Sequence, residues 1–149
     1  MAKFVEIKFV YDKNIKRNDL KERLIKSICE LTSTKFVLPD KIIVINQNLG
    51  HHVLGETILD SKNSNKIKLN ANLDYKETLI VLSHELIHLS QIAEKRLTFN
   101  KKGDYIWEGK VCCNYATIKS LDYNIYLQLP WEQDVAKKQQ KLVDFLLKK

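Results

Sequence analysis

Thr78-Leu79-Ile80-Val81-Leu82-Ser83-His84-Glu85-Leu86-Ile87-His88-Leu89-Ser90 is the stretch on which the reading of this chain turns. Two histidines stand four residues apart, with a glutamate directly after the first. On an α-helix, residues at i and i+4 share a face, so both imidazoles can reach one metal ion. Glu85 sits about 100° round the helix from His84, where it meets a water on the metal rather than the metal itself. Zinc suits such a site: three protein ligands plus water are its catalytic pattern, and it lowers the pKa of that water to about 7. Leu79, Ile80, Val81, Leu82, Leu86, Ile87, Leu89 and Ile92 surround the motif on nearly every side. A helix that apolar is buried, and two histidines and a glutamate are costly there unless something satisfies them. The stretch therefore predicts a buried helix with His84 and His88 as metal ligands and Glu85 as general base.

Working outward, Asp74 or Tyr75 starts this helix, with Asp74 and Glu77 as first-turn charges, and Lys95 and Arg96 close it with favourable charge. Before it, Lys66-Ile67-Lys68-Leu69-Asn70 alternates as a short strand, its lysines suggesting an exposed sheet edge. Ser61 to Asn65 reads as a polar turn, and Asn46 to Asp60, with His51 and His52, as loop and strand. Pro39-Asp40 turns the chain into Lys41–Ile45, a β-branched, buried strand. Asn18 to Leu31 carries a helical stripe of Leu20, Leu24, Ile28 and Leu31, and Lys3 to Val10 alternates as a half-buried strand.

After the central helix, Leu97 to Tyr115 is strand-like, with turns around Asn100–Asp104 and at Gly109. Ser120 to Leu129 reads as loop. Pro130 opens a last helix to about Leu147, since proline is tolerated in a first turn. The pattern as a whole is α+β. A small mixed or antiparallel sheet packs on the central helix, between an N-terminal and a C-terminal helix, in one domain spanning the 149 residues.

Composition narrows the setting. No apolar run is long enough to cross a bilayer, and the alternating N-terminus lacks a signal-peptide core, so a cytoplasmic protein is expected. Cys29, Cys112 and Cys113 form no disulfide framework and no Cys-x-x-Cys pair, and read as small core residues. The net charge of +7 permits an acidic or nucleic-acid partner. Its carriers are 22 scattered lysines and only Arg17, Arg23 and Arg96, whereas base and phosphate readout favours arginine. A solvated lysine-rich surface is the better reading.

A catalytic zinc site needs a third protein ligand. The direct continuation of the motif holds Gln91 and Glu94, and Glu94 falls far from the histidine face at about 100° per residue. Glu132 and Asp134, in Pro130-Trp131-Glu132-Gln133-Asp134-Val135-Ala136, could be brought back by a second helix. If Trp131, Val135, Leu142, Phe145 and Leu146 form the buried stripe, the two carboxylates lie roughly 80° to either side of it, and periodicity leaves the choice open.

The His-Glu-Leu-Ile-His motif followed by Leu129-Pro130-Trp131-Glu132-Gln133-Asp134-Val135-Ala136 resembles the gluzincins. Their third ligand is a glutamate on a later helix, in several families three residues before a small residue. Here Glu132 stands three before Val135 and four before Ala136. Over about residues 50–140 the layout is also similar to small phage and bacterial metallopeptidases. These place a short strand before the motif, a Trp-x-Gly-Lys segment after it (here Trp107-Glu108-Gly109-Lys110) and Pro-Trp-Glu before the last helix. More distantly it resembles SprT-like proteases, which share the Ile-x-Leu-Asn strand but use a third histidine and often a zinc ribbon, whereas here no histidine follows His88 and no Cys-x-x-Cys pair occurs.

The resemblance implies a zincin-like fold, one zinc ion on His84, His88 and Glu132, and peptide hydrolysis with Glu85 as base. If Lys66–Asn70 is the sheet edge, an extended substrate adds to it as a strand and meets Ile67, Lys68 and Leu69. His51, His52, Tyr123 and Tyr126 are the candidates for stabilising an oxyanion. The rival reading is a zincin-fold protein without catalysis, binding a protein or nucleic acid through its lysines.

Overall fold

The computed structural model describes residues 6–11, 37–39, 41–50, 54–58 and 66–147. The helix expected over Asn18–Leu31, the turn at Ser61–Asn65, and His51, His52 and Cys29 lie outside them. The described residues build two small sheets and four helices, an α+β arrangement.

The first sheet contains β1 (Glu6–Tyr11), β2 (Lys41–Gln47), β3 (Gly55–Ile58) and β4 (Lys66–Asn70), in the order β1-β2-β4-β3. β1 and β4 both run parallel to β2, while β3 returns antiparallel to β4. This corrects one expectation. Lys66–Asn70 is an inner strand, with Lys68 opposite Ile45 on one side and Glu56 on the other. Its lysines sit on the half-buried face, where long aliphatic stems cover apolar surface while the ammonium reaches water. Ile67 and Leu69 are fully buried. Strand addition beside Ile67, Lys68 and Leu69 is therefore blocked on both sides.

Helix α1 (Tyr75–Ala93) lies against this sheet. Asp74 caps it: its carboxylate accepts from the Glu77 amide at 2.7 Å, and the Glu77 side chain reaches back to the Asp74 amide. Leu79, Leu82, Leu86 and Leu89 are all fully buried and form one stripe facing Ile42, Val44, Ile67 and Leu69. Each such burial is worth about 1.5–3 kcal/mol, enough for the stripe to set the helix's orientation. At about 100° per residue, His84, His88 and Gln91 fall on the opposite face.

The helix does not end as the charge pattern suggested. Its last turn holds no basic residue, and Glu94 is the C-cap. Lys95 adopts a left-handed conformation with φ 61°. The amides of Lys95 and Arg96 donate to the carbonyls of Ile92 and Gln91 at 3.0 and 2.9 Å, the paired bonds of a Schellman motif. Arg96 is thereby carried past the helix and turned back along it.

The second sheet is an antiparallel meander of β5 (Leu97–Phe99), β6 (Asp104–Trp107) and β7 (Lys110–Asn114). Glu108 and Gly109, with φ of 48° and 87°, make the tight turn between β6 and β7. After β7 come two short helices, α2 (Tyr115–Ser120) and α3 (Tyr123–Tyr126), capped by Asn114 and Asp122, and α3 lies within Ser120–Leu129, where a loop was expected. Cys112 is exposed on β7 and so is not a core residue, whereas the half-buried Cys113 packs against the cluster beside the second sheet. A register irregularity leaves Cys112 unpaired in the ladder and brings the two sulfurs to 3.2 Å. Burial of the Cys113 thiol, its hydrogen bond to Cys112 and nearby negative charge push it up to about 11.

Helix α4 (Pro130–Leu147) joins the two halves. Val135 and Leu142 belong to the core under the first sheet, whereas Trp131 packs with Leu97, Tyr105, Ile118 and Leu129 beside the second. Glu132 stands between these two apolar anchors and is almost fully buried.

Candidate metal centre

The face of α1 opposite its leucine stripe meets the first turn of α4. Helical spacing brings His84 Nε2 and His88 Nε2 to 3.2 Å, with ring centroids 4.9 Å apart and planes at 73°. Glu132 completes the group from α4: its Oε2 is 3.4 Å from His84 Nε2 and its Oε1 3.0 Å from His88 Nε2. Three ligands at tetrahedral positions, with metal bonds of about 2.0–2.2 Å, lie about 3.3–3.5 Å from one another. The observed separations, with one carboxylate oxygen nearest each histidine, are of that order.

One more observation fits a cation at this point. Glu132 Oε2 is buried with no hydrogen-bond donor, and a carboxylate oxygen left so is costly. Its other oxygen accepts from Tyr126 Oη at 2.7 Å. One ligand atom from each of His84, His88 and Glu132 lies within 4.8 Å of the others, and the three residues can hold a metal ion. The side chain of His84 is about one-third exposed while that of Glu132 is buried, so the centre opens to solvent on the His84 side.

The electrostatics agree. Burial alone would raise the Glu132 carboxyl, but contacts from His84, His88 and Tyr126 hold it well below the ordinary carboxylate range. Burial works against a charged His88, yet the hydrogen bond and negative charge of Glu132 outweigh it and leave the imidazole above its ordinary value. A proton on His88 and a metal ion would thus be alternative ways of satisfying this carboxylate. Burial, reinforced by the charge and hydrogen bond of Glu132, pushes the Tyr126 phenol far above its usual range, keeping it a donor.

Glu85 leaves α1 on a different side, toward β3. The Thr57 hydroxyl donates to Glu85 Oε2 and lies 3.4 Å from the Glu85 carbonyl oxygen. The negative charge of Glu85 adds to the upward push on both His88 and Tyr126. Gly55 permits this packing: a Cβ there would overlap Val81 Cγ1 and stand 3.7 Å from Glu85 Cγ.

Of the two carboxylates that periodicity left open, Glu132 is at the centre and Asp134 is not. Asp134 accepts from Gln91 Nε2 at 2.9 Å and from Arg96 at 3.2 Å, and also pairs with Lys138. Burial would raise its carboxyl, but these contacts hold it below the usual range. Glu94 points away and accepts from Ser90. Tyr126 is present, as a donor to Glu132, whereas Tyr123 is exposed. Ile67 and Leu69 are core residues rather than substrate contacts.

Sequence reasoning missed Thr57, Gly55 and the side chain of Gln91. For Gln91 there was a signal: a long polar residue one turn after His88 on the same helix face. For Thr57 there was none, because its contact spans 28 positions in the chain. Compared with protein-family models, curated proteins and solved structures, the chain gives no match.

Proposed function

We propose that this protein is a zinc-dependent metallopeptidase of gluzincin type, with His84, His88 and Glu132 as the metal ligands. The observation that carries the reading is the convergence of two imidazole Nε2 atoms and the two oxygens of one buried carboxylate, one of which has no hydrogen bond, within about a metal's reach of one another. Two nitrogens and one oxygen in that geometry suit zinc better than calcium or magnesium, which take more oxygen ligands.

When bound, zinc supplies Lewis acidity, lowering the pKa of a water to about 7 and polarising a carbonyl oxygen. The rest falls to the chain's own residues. Glu85 has one carboxylate oxygen engaged by Thr57, which leaves Oε1 to accept the proton of the attacking water. As the new C–O bond forms and the C–N bond breaks, the same oxygen returns that proton to the leaving amine. Tyr126 holds Glu132 in place through its hydroxyl. The strand order supports a place for the substrate: β3, which among the described residues pairs only with β4, has an outer edge and carries Thr57, the partner of Glu85. An extended peptide added there lies beside the base. A zincin-like fold accords with this mixed sheet and with a metal-bearing helix beneath it.

The test is hydrolysis of a broad peptide library before and after metal removal by a chelator, and again after zinc is restored. Loss on chelation and recovery with zinc are expected. Cleavage indifferent to the chelator would refute the metal mechanism. A zinc-loaded protein that cleaves nothing, but binds nucleic acid in a salt-sensitive way, would favour a binding module with a lysine-rich surface.

A further inference from the structure

Gln91 stands one turn after His88 and is almost fully buried, so each polar atom of its amide needs a partner. Its Nε2 lies 2.9 Å from the Trp131 carbonyl oxygen and 2.9 Å from Asp134 Oδ2. Both partners only accept, so the amide cannot be turned the other way. Oε1 must then face His88 Nδ1, at 2.9 Å. Since a carbonyl oxygen only accepts, Nδ1 carries the proton and donates it. The Nε2 lone pair of His88 is left for the metal centre.

Asp134 is held in turn. Arg96 reaches it at 3.2 Å, pairs with Glu108 at 2.8 Å and stacks on the Trp107 ring, 4.8 Å from the ring centroid. The Schellman end of α1 delivers Arg96 to that place. The Trp107-Glu108-Gly109-Lys110 turn thereby acquires a part: it seats the arginine that orients Asp134.

We propose that Gln91 and Asp134 are positioning residues for His88, fixing its tautomer and ring plane so that Nε2 is presented to zinc, with Arg96 and the β6–β7 turn as their outer support. The inference rests on the zinc reading above. Partners that orient a ligating histidine commonly change metal affinity by 10–100-fold when lost. Gln91 and Asp134 are the inner links. Arg96, partly solvated and paired with an exposed Glu108, is the weaker one.

The experiment measures zinc affinity of the full chain by chelator competition, with the melting temperature of the metal-free protein recorded alongside. Gln91→Leu removes the acceptor for His88 Nδ1–H and should weaken zinc binding about 10- to 100-fold. Gln91→Glu alone sets two carboxylates against each other and should also weaken it. Gln91→Glu combined with Asp134→Asn reverses the donor and acceptor between the two positions while keeping an acceptor for His88. This pair should bind zinc more tightly than Gln91→Glu alone, although its carboxylate still faces the Trp131 carbonyl oxygen, a rescue that general loss of packing would not give. Wild-type affinity in Gln91→Leu overturns the proposal and leaves the zinc reading standing, as does a paired variant no better than Gln91→Glu alone. A wild-type chain that takes up no zinc overturns both.

Discussion

The two flanks of α1 hold their charged side chains in different ways. On the α4 flank, the metal-ligand candidates sit in a web: Tyr126 on Glu132, Gln91 on His88, and Asp134 and Arg96 behind Gln91. On the β3 flank, the Glu85 carboxylate is held by the Thr57 hydroxyl, with Gly55 making room. The difference matches two tasks. A metal site gains affinity from ligands fixed before the ion arrives, whereas a base must turn between the water it deprotonates and the amine it protonates. If so, changes on one flank should move metal affinity and changes on the other should move turnover.

The largest separation is expected for Glu85→Gln. Hydrolysis should fall by about 10²–10⁴, the contribution of a positioned general base, while zinc content measured on the same preparation stays at the wild-type level. Loss of zinc in that variant would erase the distinction between the flanks. A smaller effect in the same direction is expected for Thr57→Val. This variant keeps the side-chain shape and removes one hydrogen bond to a carboxylate, worth about 1.5–3 kcal/mol. Turnover measured at saturating zinc should drop about tenfold or more, again with zinc affinity unchanged. Weaker zinc binding by Thr57→Val would mean that β3 also supports the metal.

The contrast between the flanks also marks what could be read in advance. His84, Glu85 and His88 lie in five consecutive residues, so helical geometry alone relates them. The boundaries of β4 and α4 were legible for local reasons, strict alternation in Lys66–Asn70 and a proline at the start of the last helix. The place of β4 within the sheet was not, because lysines on a half-buried face look like lysines on an edge. The helices Tyr115–Ser120 and Tyr123–Tyr126 are too short to show a period; their signals were the caps Asn114 and Asp122.

The choice between Glu132 and Asp134 was hidden for a different reason. Both flank the apolar stripe of α4, and what separates them is tertiary. Trp131 is drawn into the cluster with Tyr105 and Leu129 while Val135 is drawn into the main core, which turns Glu132 toward the histidines and Asp134 toward Gln91 and Arg96. No property of the α4 sequence by itself contains that division.

On this reading the first turn of α4 completes a metal site begun on α1. Zinc bound per chain in wild type and in Glu132→Ala, under the same chelator competition, tests it. One ion per wild-type chain is expected. Retention in the variant should fall by more than about 100-fold in affinity, beyond what loss of a supporting hydrogen bond produces. Equal zinc binding by Glu132→Ala, or none by the wild type, would contradict it.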